Sequence, residues 1–267
     1  VLYILENENI KVEISSHGAT IEKIINKKTG NNHYWDYDKE IWPRRTSVCF
    51  PICGVLAQGK YLLNGVEYAV EPHGFLREMD LEAAVVEEDK LCLVAKSNEW
   101  TKGMYPYEFL FEITFIIKEE LTIIYDVHNF GDSEMLFSTG SHYTYSVPIN
   151  KADDYAQYYV VAGEKTLYLK DDVFANGPIV VPATEIPENK VSIKNLQSDS
   201  ETEVSFENFP YCVIWSKPGV QPFVCIEPWA GLADDVNKTN LDFYKKNEIK
   251  ILAPKATERF TQIVKIK

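Results

Sequence analysis

No apolar run in this chain approaches the roughly 20 residues that a helix needs to cross a bilayer. Its opening residues, VLYILENENI, carry neither the basic start nor the small-residue end of a secretory signal. Basic charge is scarce: 27 lysines and arginines face 40 aspartates and glutamates, for a net charge of −13. Such a field repels phosphate backbones and anionic lipid surfaces, so nucleic-acid and membrane partners are not expected. Cysteine is sparse and odd in number. Cys49, Cys53, Cys92, Cys212 and Cys225 sit mostly in apolar runs, and the Cys49–Cys53 spacing lacks the second pair that would complete a zinc site. The expectation is reduced core cysteines in a cytoplasmic protein, with no metal. The chain also lacks a Pro/Gly/Ser linker, a block of like charge, and any internal repeat of about 20 to 50 residues. A single domain over residues 1–267 is the reading that follows.

Long amphipathic helices are missing as well. Only NLDFYKKNEI, residues 240 to 249, has a pattern suited to a couple of helical turns, with Asn240 as its cap. What is present is alternation by two: KVEIS, LCLVAK, FEITFII, LTIIYDVHN and EVSFENF are rich in β-branched and aromatic residues. Turn chemistry separates them. Asn64-Gly65 in LLNGVEY suits a two-residue type I′ hairpin, and IIKEELTII turns at Lys118 to Glu120. Many short strands with 45% hydrophobic residues to fill a core predict an all-β fold, a large antiparallel β-sandwich with few short helices. A sandwich of this size has a wide concave face.

Polar residues that break the apolar pattern are the candidates for chemistry. FVCIEPWAG, residues 223 to 231, places Glu227 between a strand-like run and a Pro-Trp pair. A buried unpaired carboxylate costs several kcal/mol or takes up a proton. Glu227 is therefore either salt-bridged to Arg44, Arg45 or Arg77, or held for acid/base work. His142 in GSHYTY is either a satisfied core imidazole or a proton donor. His73 precedes Gly74-Phe75, where a turn either sets it at the surface or aims it at a ligand. Trp229 and Tyr143 are strand aromatics that either fill the core or stack on the C–H face of a sugar. His17, His33 and His128 are assigned no chemistry, and Asp172 is read as a surface loop carboxylate.

Four stretches together resemble the aldose 1-epimerase (galactose mutarotase-like) superfamily over nearly the whole chain: SHGATIEKI (16 to 24), WPRRTSVCFPICG (42 to 54) leading into PHGFLRE (72 to 78), FSTGSHYTYSVP (137 to 148) and FVCIEPWAG (223 to 231). The WPR…FPI.G and HGF.R forms are most similar to the LacX-like subgroup related to hexose-6-phosphate 1-epimerases. The resemblance implies a cofactor-free isomerase that interconverts the α and β anomers of a hexose. Glu227 is then the general base, His142 the general acid, and His73 holds the sugar near its reacting end. Where relatives commonly have Gly-His-Pro, this chain has Ser141-His142-Tyr143, which exchanges a rigid proline for a phenol beside the acid.

One base and one acid suffice for that chemistry: the anomeric hydroxyl loses a proton, the ring oxygen gains one, and the ring opens, rotates and closes. With Glu227 ionised and His142 protonated, the expected activity profile is bell-shaped, with the acidic surroundings raising the histidine. Arg45 and Arg77 lie beside apolar motif segments. They either grip the phosphate of a hexose 6-phosphate or serve as scaffolding around a free aldose, and the net charge of −13 favours the free aldose. A non-catalytic carbohydrate-binding protein of the same fold is the remaining alternative.

Overall fold

The computed structural model describes residues 1–43, 48–170 and 172–267. Its largest sheet has nine strands and wraps through Phe109–Ile117, Leu121–Asn129 and Thr257–Ile266 at its centre, every neighbouring pair antiparallel. The strand Phe109–Ile117 shows why: Phe109, Phe111, Ile113, Phe115 and Ile117 are buried, and each residue between them is half-exposed. One face goes to the core and the other to water, as the two-residue period dictates.

Against this sheet packs a six-stranded one containing Val48–Cys49, Thr139–Ser141, Phe223–Ala230, Tyr211–Trp215 and Ile179–Pro182. One hydrophobic cluster takes residues from both, including Phe111, Ile113, Tyr125 and Phe260 from the larger sheet and Ile214, Val224 and Ile226 from the smaller. A buried polar bridge crosses the same interface. The Tyr125 hydroxyl donates to the Gln262 amide oxygen at 3.0 Å, and the Gln262 amide nitrogen donates to the Tyr145 hydroxyl at 3.0 Å. This is the antiparallel β-sandwich that the alternation predicts.

Both turn readings hold. Lys60–Leu63 and Val66–Ala69 pair across Asn64-Gly65, whose φ angles of 51° and 81° are those a type I′ turn requires. Lys118 donates its amide to the Glu120 carbonyl at 3.0 Å between the paired strands Phe109–Ile117 and Leu121–Asn129. The helix expected over 240–249 does not form. Only Phe243–Lys245 makes a single 3₁₀ turn, capped by Asp242, whose side chain accepts the Tyr244 amide. Phe243 is fully buried against Tyr61 with ring centroids 3.9 Å apart. Tertiary burial of one aromatic, and not a helical stripe, sets this segment's conformation.

Gly74 is fixed by close approach. Its φ is +82°, and a Cβ there would lie 2.0 Å from the Phe50 carbonyl oxygen, beside the strand Val48–Cys49. Gly65 has a similar φ of +81° but meets nothing within 4 Å. Both Gly→Ala changes should cost about 1–2 kcal/mol for the left-handed backbone, and Gly74→Ala should cost a further 1–3 kcal/mol or so for the overlap. Urea unfolding of the two variants side by side checks this, and equal losses would remove the packing argument.

Candidate active site

The strand Phe223–Ala230 is buried along all eight residues, so both of its faces are covered. Val224 and Ile226 enter the sandwich core. By alternation Phe223, Cys225, Glu227 and Trp229 face the other way, onto the outer surface of the six-stranded sheet. Register then builds the neighbourhood. Val213 stands opposite Glu227 and Trp215 opposite Cys225, while Val180 lies one strand further out, opposite Val213. On the other side Gly140 pairs with Trp229 and Thr144 with Cys225, which brings His142, between them, level with Glu227.

Loops roof this face and leave a pocket of about 540 Å³, lined by His73, His142 and Glu227 together with Trp42, Trp215 and Trp229. That volume is in the range of ordinary small-molecule sites, about 300–1,000 Å³. A further wall is apolar, from Val180, Val213 and Leu232. The rim is pinned from below. Lys246, only 4% exposed, donates to the carbonyl oxygens of Leu232 and, at 3.5 Å, Cys53. Asp234 accepts from the Asn247 amide at 3.0 Å and from Lys238 Nζ at 2.6 Å. Burial pulls the Lys246 ammonium down to about 8.

Glu227 is 1% exposed, and its Oε2 meets no hydrogen-bond partner. Burial pushes the carboxyl well above the usual carboxylate range; Cys49 adds to the rise, and the neighbouring Trp229 and Cys225 side chains oppose it. His142 Nδ1 lies 3.6 Å from Glu227 Oε1, longer than a hydrogen bond. Burial, with a smaller contribution from the Arg77 charge, lowers the His142 imidazolium to about 4 against the opposing effect of a backbone hydrogen bond. The site therefore differs from the sequence expectation of an ionised glutamate and a protonated histidine. Desolvation penalises both charges, so the one proton of the pair rests on Glu227 and the imidazole is neutral.

His73 adopts φ +66°, just before the glycine turn. The Gly54 amide donates to its Nδ1 at 3.3 Å, and the Cys49 sulfur lies 3.3 Å from the same nitrogen. An accepting Nδ1 places the ring proton on Nε2. The His73 ring packs edge-on against His142 at 4.8 Å and Trp229 at 5.6 Å between centroids. Trp229 is itself held by its indole N–H, which donates to the Ser141 carbonyl at 3.0 Å. Gly140 permits this packing, since a Cβ there would lie 2.6 Å from the Trp229 ring.

Glu227, His142, His73 and Trp229 thus meet in one pocket. Tyr143 does not, which corrects its reading as a sugar contact. It is fully buried and packs edge-on against Tyr34 at 6.2 Å, because a residue next to His142 on an extended strand points to the opposite face. Arg77 lines a neighbouring groove with Gly74, Phe75 and Trp100, and its Nε is 3.4 Å from Glu78 Oε1. Arg45 lies outside the described residues. Of the histidines given no chemistry, His17 pairs with Asp80 at 3.0 Å and His128 with Glu112 at 2.6 Å. His33 is buried, and its Nδ1 is 2.8 Å from the Thr202 hydroxyl. Asp172 is exposed and accepts the Gly219 amide at 3.3 Å. Sequence reasoning missed Trp42, Trp215 and the valine pair. Val213 and Trp215 sit two apart in YCVIW, a signal for one shared face, but only strand register tells that this face is the pocket.

Comparison with known proteins agrees with this geometry. The aldose 1-epimerase family model matches residues 1–244. The plasmid-encoded protein LacX of Lactococcus lactis subsp. lactis is 22% identical over 283 aligned residues, covering 93% of this chain and 94% of LacX. A galactose mutarotase related enzyme from Lactobacillus acidophilus superposes with a TM-score of 0.92 at 27% identity, covering 100% of this chain and 97% of that one. A galactose mutarotase-like protein from Lactobacillus casei gives 0.91 at 23% identity, with 100% of each chain covered. The sandwich, the order of the four motifs and the pocket in which three of them meet have one common explanation: the chain belongs to the aldose 1-epimerase family.

Proposed function

We propose that this protein is an aldose 1-epimerase that interconverts the anomers of a free hexose, with Glu227 and His142 as its proton-transfer pair. The observation that carries the reading is their placement side by side in the pocket, 3.6 Å apart. The anomeric hydroxyl and the ring oxygen are bonded to the same carbon, so a base for one and an acid for the other have to be neighbours. Bound sugar donates a hydroxyl hydrogen bond to the carboxylate and accepts one from the imidazolium, which favours the charged forms and moves the pair's proton from Glu227 to His142. Glu227 then takes the anomeric hydroxyl proton while His142 delivers one to the ring oxygen. The C1–ring oxygen bond breaks to give the open-chain aldehyde, which rotates about C1–C2 and closes on its other face, with the protons returning. His73 donates from Nε2 near the reacting end, and Trp229 offers its ring to the sugar's C–H face.

Glu227→Gln keeps the shape and removes the base, so anomer exchange followed by NMR should fall about 10²- to 10⁴-fold. The same change should raise thermal stability at neutral pH. The folded-state pKa of Glu227 lies above its unfolded value of 4.5. Its contribution is complete below 4.5 and is lost as pH rises towards the folded value, because the unfolded chain ionises first. The gain in Tm should therefore appear at pH 7 and vanish at acid pH, each kcal/mol reading as roughly 2–4 °C. Near-full turnover with a lowered Tm would make Glu227 a structural group.

The pH profile of kcat/KM reports the free protein. Its acid limb should come from His142 taking a second proton near its value of about 4. The alkaline limb should come from loss of the pair's single proton, held by Glu227 well above the ordinary carboxylate range. Residual activity of His142→Asn should lose the alkaline limb and rise with pH as Glu227 ionises, because without the imidazole the carboxyl acts as a base only after losing its own proton. Residual activity that still falls with rising pH would remove Glu227 from the role of base.

Arg77 stands beside Glu78 in the neighbouring groove, and the net charge of −13 opposes an anionic substrate; both favour a free sugar over a 6-phosphate. Glucose and galactose should give kcat/KM values at least equal to those of their 6-phosphates. A wild-type preference for phosphate of about tenfold, ~1.4 kcal/mol, that disappears in Arg77→Ala would reverse this choice.

A further inference from the structure

Cys225 has no task in the proton transfer, yet it stands two residues from Glu227 on the same face of the same strand. Ligating atoms of His142, Cys225 and Glu227 all lie within 4.8 Å of one another. His142 Nδ1 and Glu227 Oε2 are buried without hydrogen-bond partners, and both residues line the pocket. We propose that these three side chains form a binding site for a borderline or soft dication, of which Zn²⁺ is the type, and that the bound cation excludes sugar and arrests proton transfer.

The donor set decides the class of ion. One imidazole nitrogen, one thiolate and one carboxylate oxygen suit Zn²⁺, whereas Mg²⁺ and Ca²⁺ call for oxygen alone. Zinc bonds of about 2.0–2.2 Å to nitrogen and oxygen, arranged tetrahedrally, set those two donors roughly 3.4 Å apart. The observed nitrogen–oxygen separation is 3.6 Å. The thiol closes on the ion through a side-chain shift of about 1 Å, and the pocket supplies the fourth position to water. On binding, the Cys225 S–H proton and the proton of the Glu227–His142 pair pass to solvent, leaving a thiolate, a carboxylate and a neutral imidazole as ligands. Nothing is oxidised or reduced. The binding stands on the geometry alone, while the inhibitory consequence rests on the epimerase reading.

Titration of the protein with Co²⁺, after treatment with chelator, tests the site without reference to activity. Tetrahedral d–d bands and a sulfur-to-cobalt charge-transfer band should grow together to one equivalent, and Zn²⁺ should displace them. Cys225→Ser and Cys225→Ala, each checked for native circular dichroism, should lose the charge-transfer band and weaken Zn²⁺ binding by about tenfold or more. In anomer-exchange assays Zn²⁺ should inhibit, with an apparent constant that rises with sugar concentration and is larger in each variant, every protein being referred to its own rate in chelator. Cobalt binding without the sulfur band, Zn²⁺ affinity unchanged in both variants, or no binding at all would overturn the site. If no sugar exchanges at any rate, the epimerase reading fails while the cobalt titration still decides the metal site. If Zn²⁺ binds as described but inhibition is indifferent to sugar, the exclusion of substrate is wrong.

Discussion

The burial of one carboxyl governs this molecule. Glu227 sits at the middle of a strand with no exposed residue, 1% accessible itself, and the sandwich core begins at the preceding residue, Ile226. Water cannot solvate its charge there, and the group 3.6 Å from it is an imidazole that burial keeps neutral. The sheet's two-residue period makes this tolerable. Val224 and Ile226 hold the strand in place from one side, which leaves the other side available for groups that contribute nothing to packing. The desolvation that destabilises Glu227 also makes its proton responsive. A hydroxyl-rich ligand that enters the pocket changes the balance between carboxyl and carboxylate far more than it would at a wet surface.

The sandwich itself was legible in the sequence because alternation is a local signal. FEITFII and LTIIYDVHN carry their own inward and outward faces, and Asn64-Gly65 carries its own turn. Glu227 and His142 were legible as polar residues interrupting apolar strands, with the motif resemblance supplying their roles. The Tyr143 expectation failed although the correcting signal was in hand. His142 and Tyr143 are adjacent on an extended segment, and one of two such neighbours must face the core. The valine pair and Trp215 were illegible for a different reason. Their place beside Glu227 depends on pairing among segments 179–182, 211–215 and 223–230, and no short-range pattern encodes that register. The 240–249 segment failed because burial of Phe243 outweighed the local pattern.

The pocket's asymmetry has a chemical consequence of its own. Its titratable groups gather at one end, around His73, His142 and Glu227, while Val213 and then Val180 continue the same rung of the sheet away from the base. In the proposed epimerase reaction, a hexose whose anomeric carbon sits between Glu227 and His142 would be gripped by hydrogen bonds at C1 and, along this rung, by contact with apolar side chains. The open-chain aldehyde has to turn about C1–C2 before it recloses. Binding energy concentrated at the reacting end holds the migrating oxygen near the acid and base, and a valine floor has no donors to fix the rest of the sugar in one rotamer. The tryptophans serve the same end, since stacking on a C–H face restrains the ring's plane without pinning each hydroxyl. The proposed reaction would need both ends of that arrangement: rigid proton carriers at C1 and a tolerant surface beyond them.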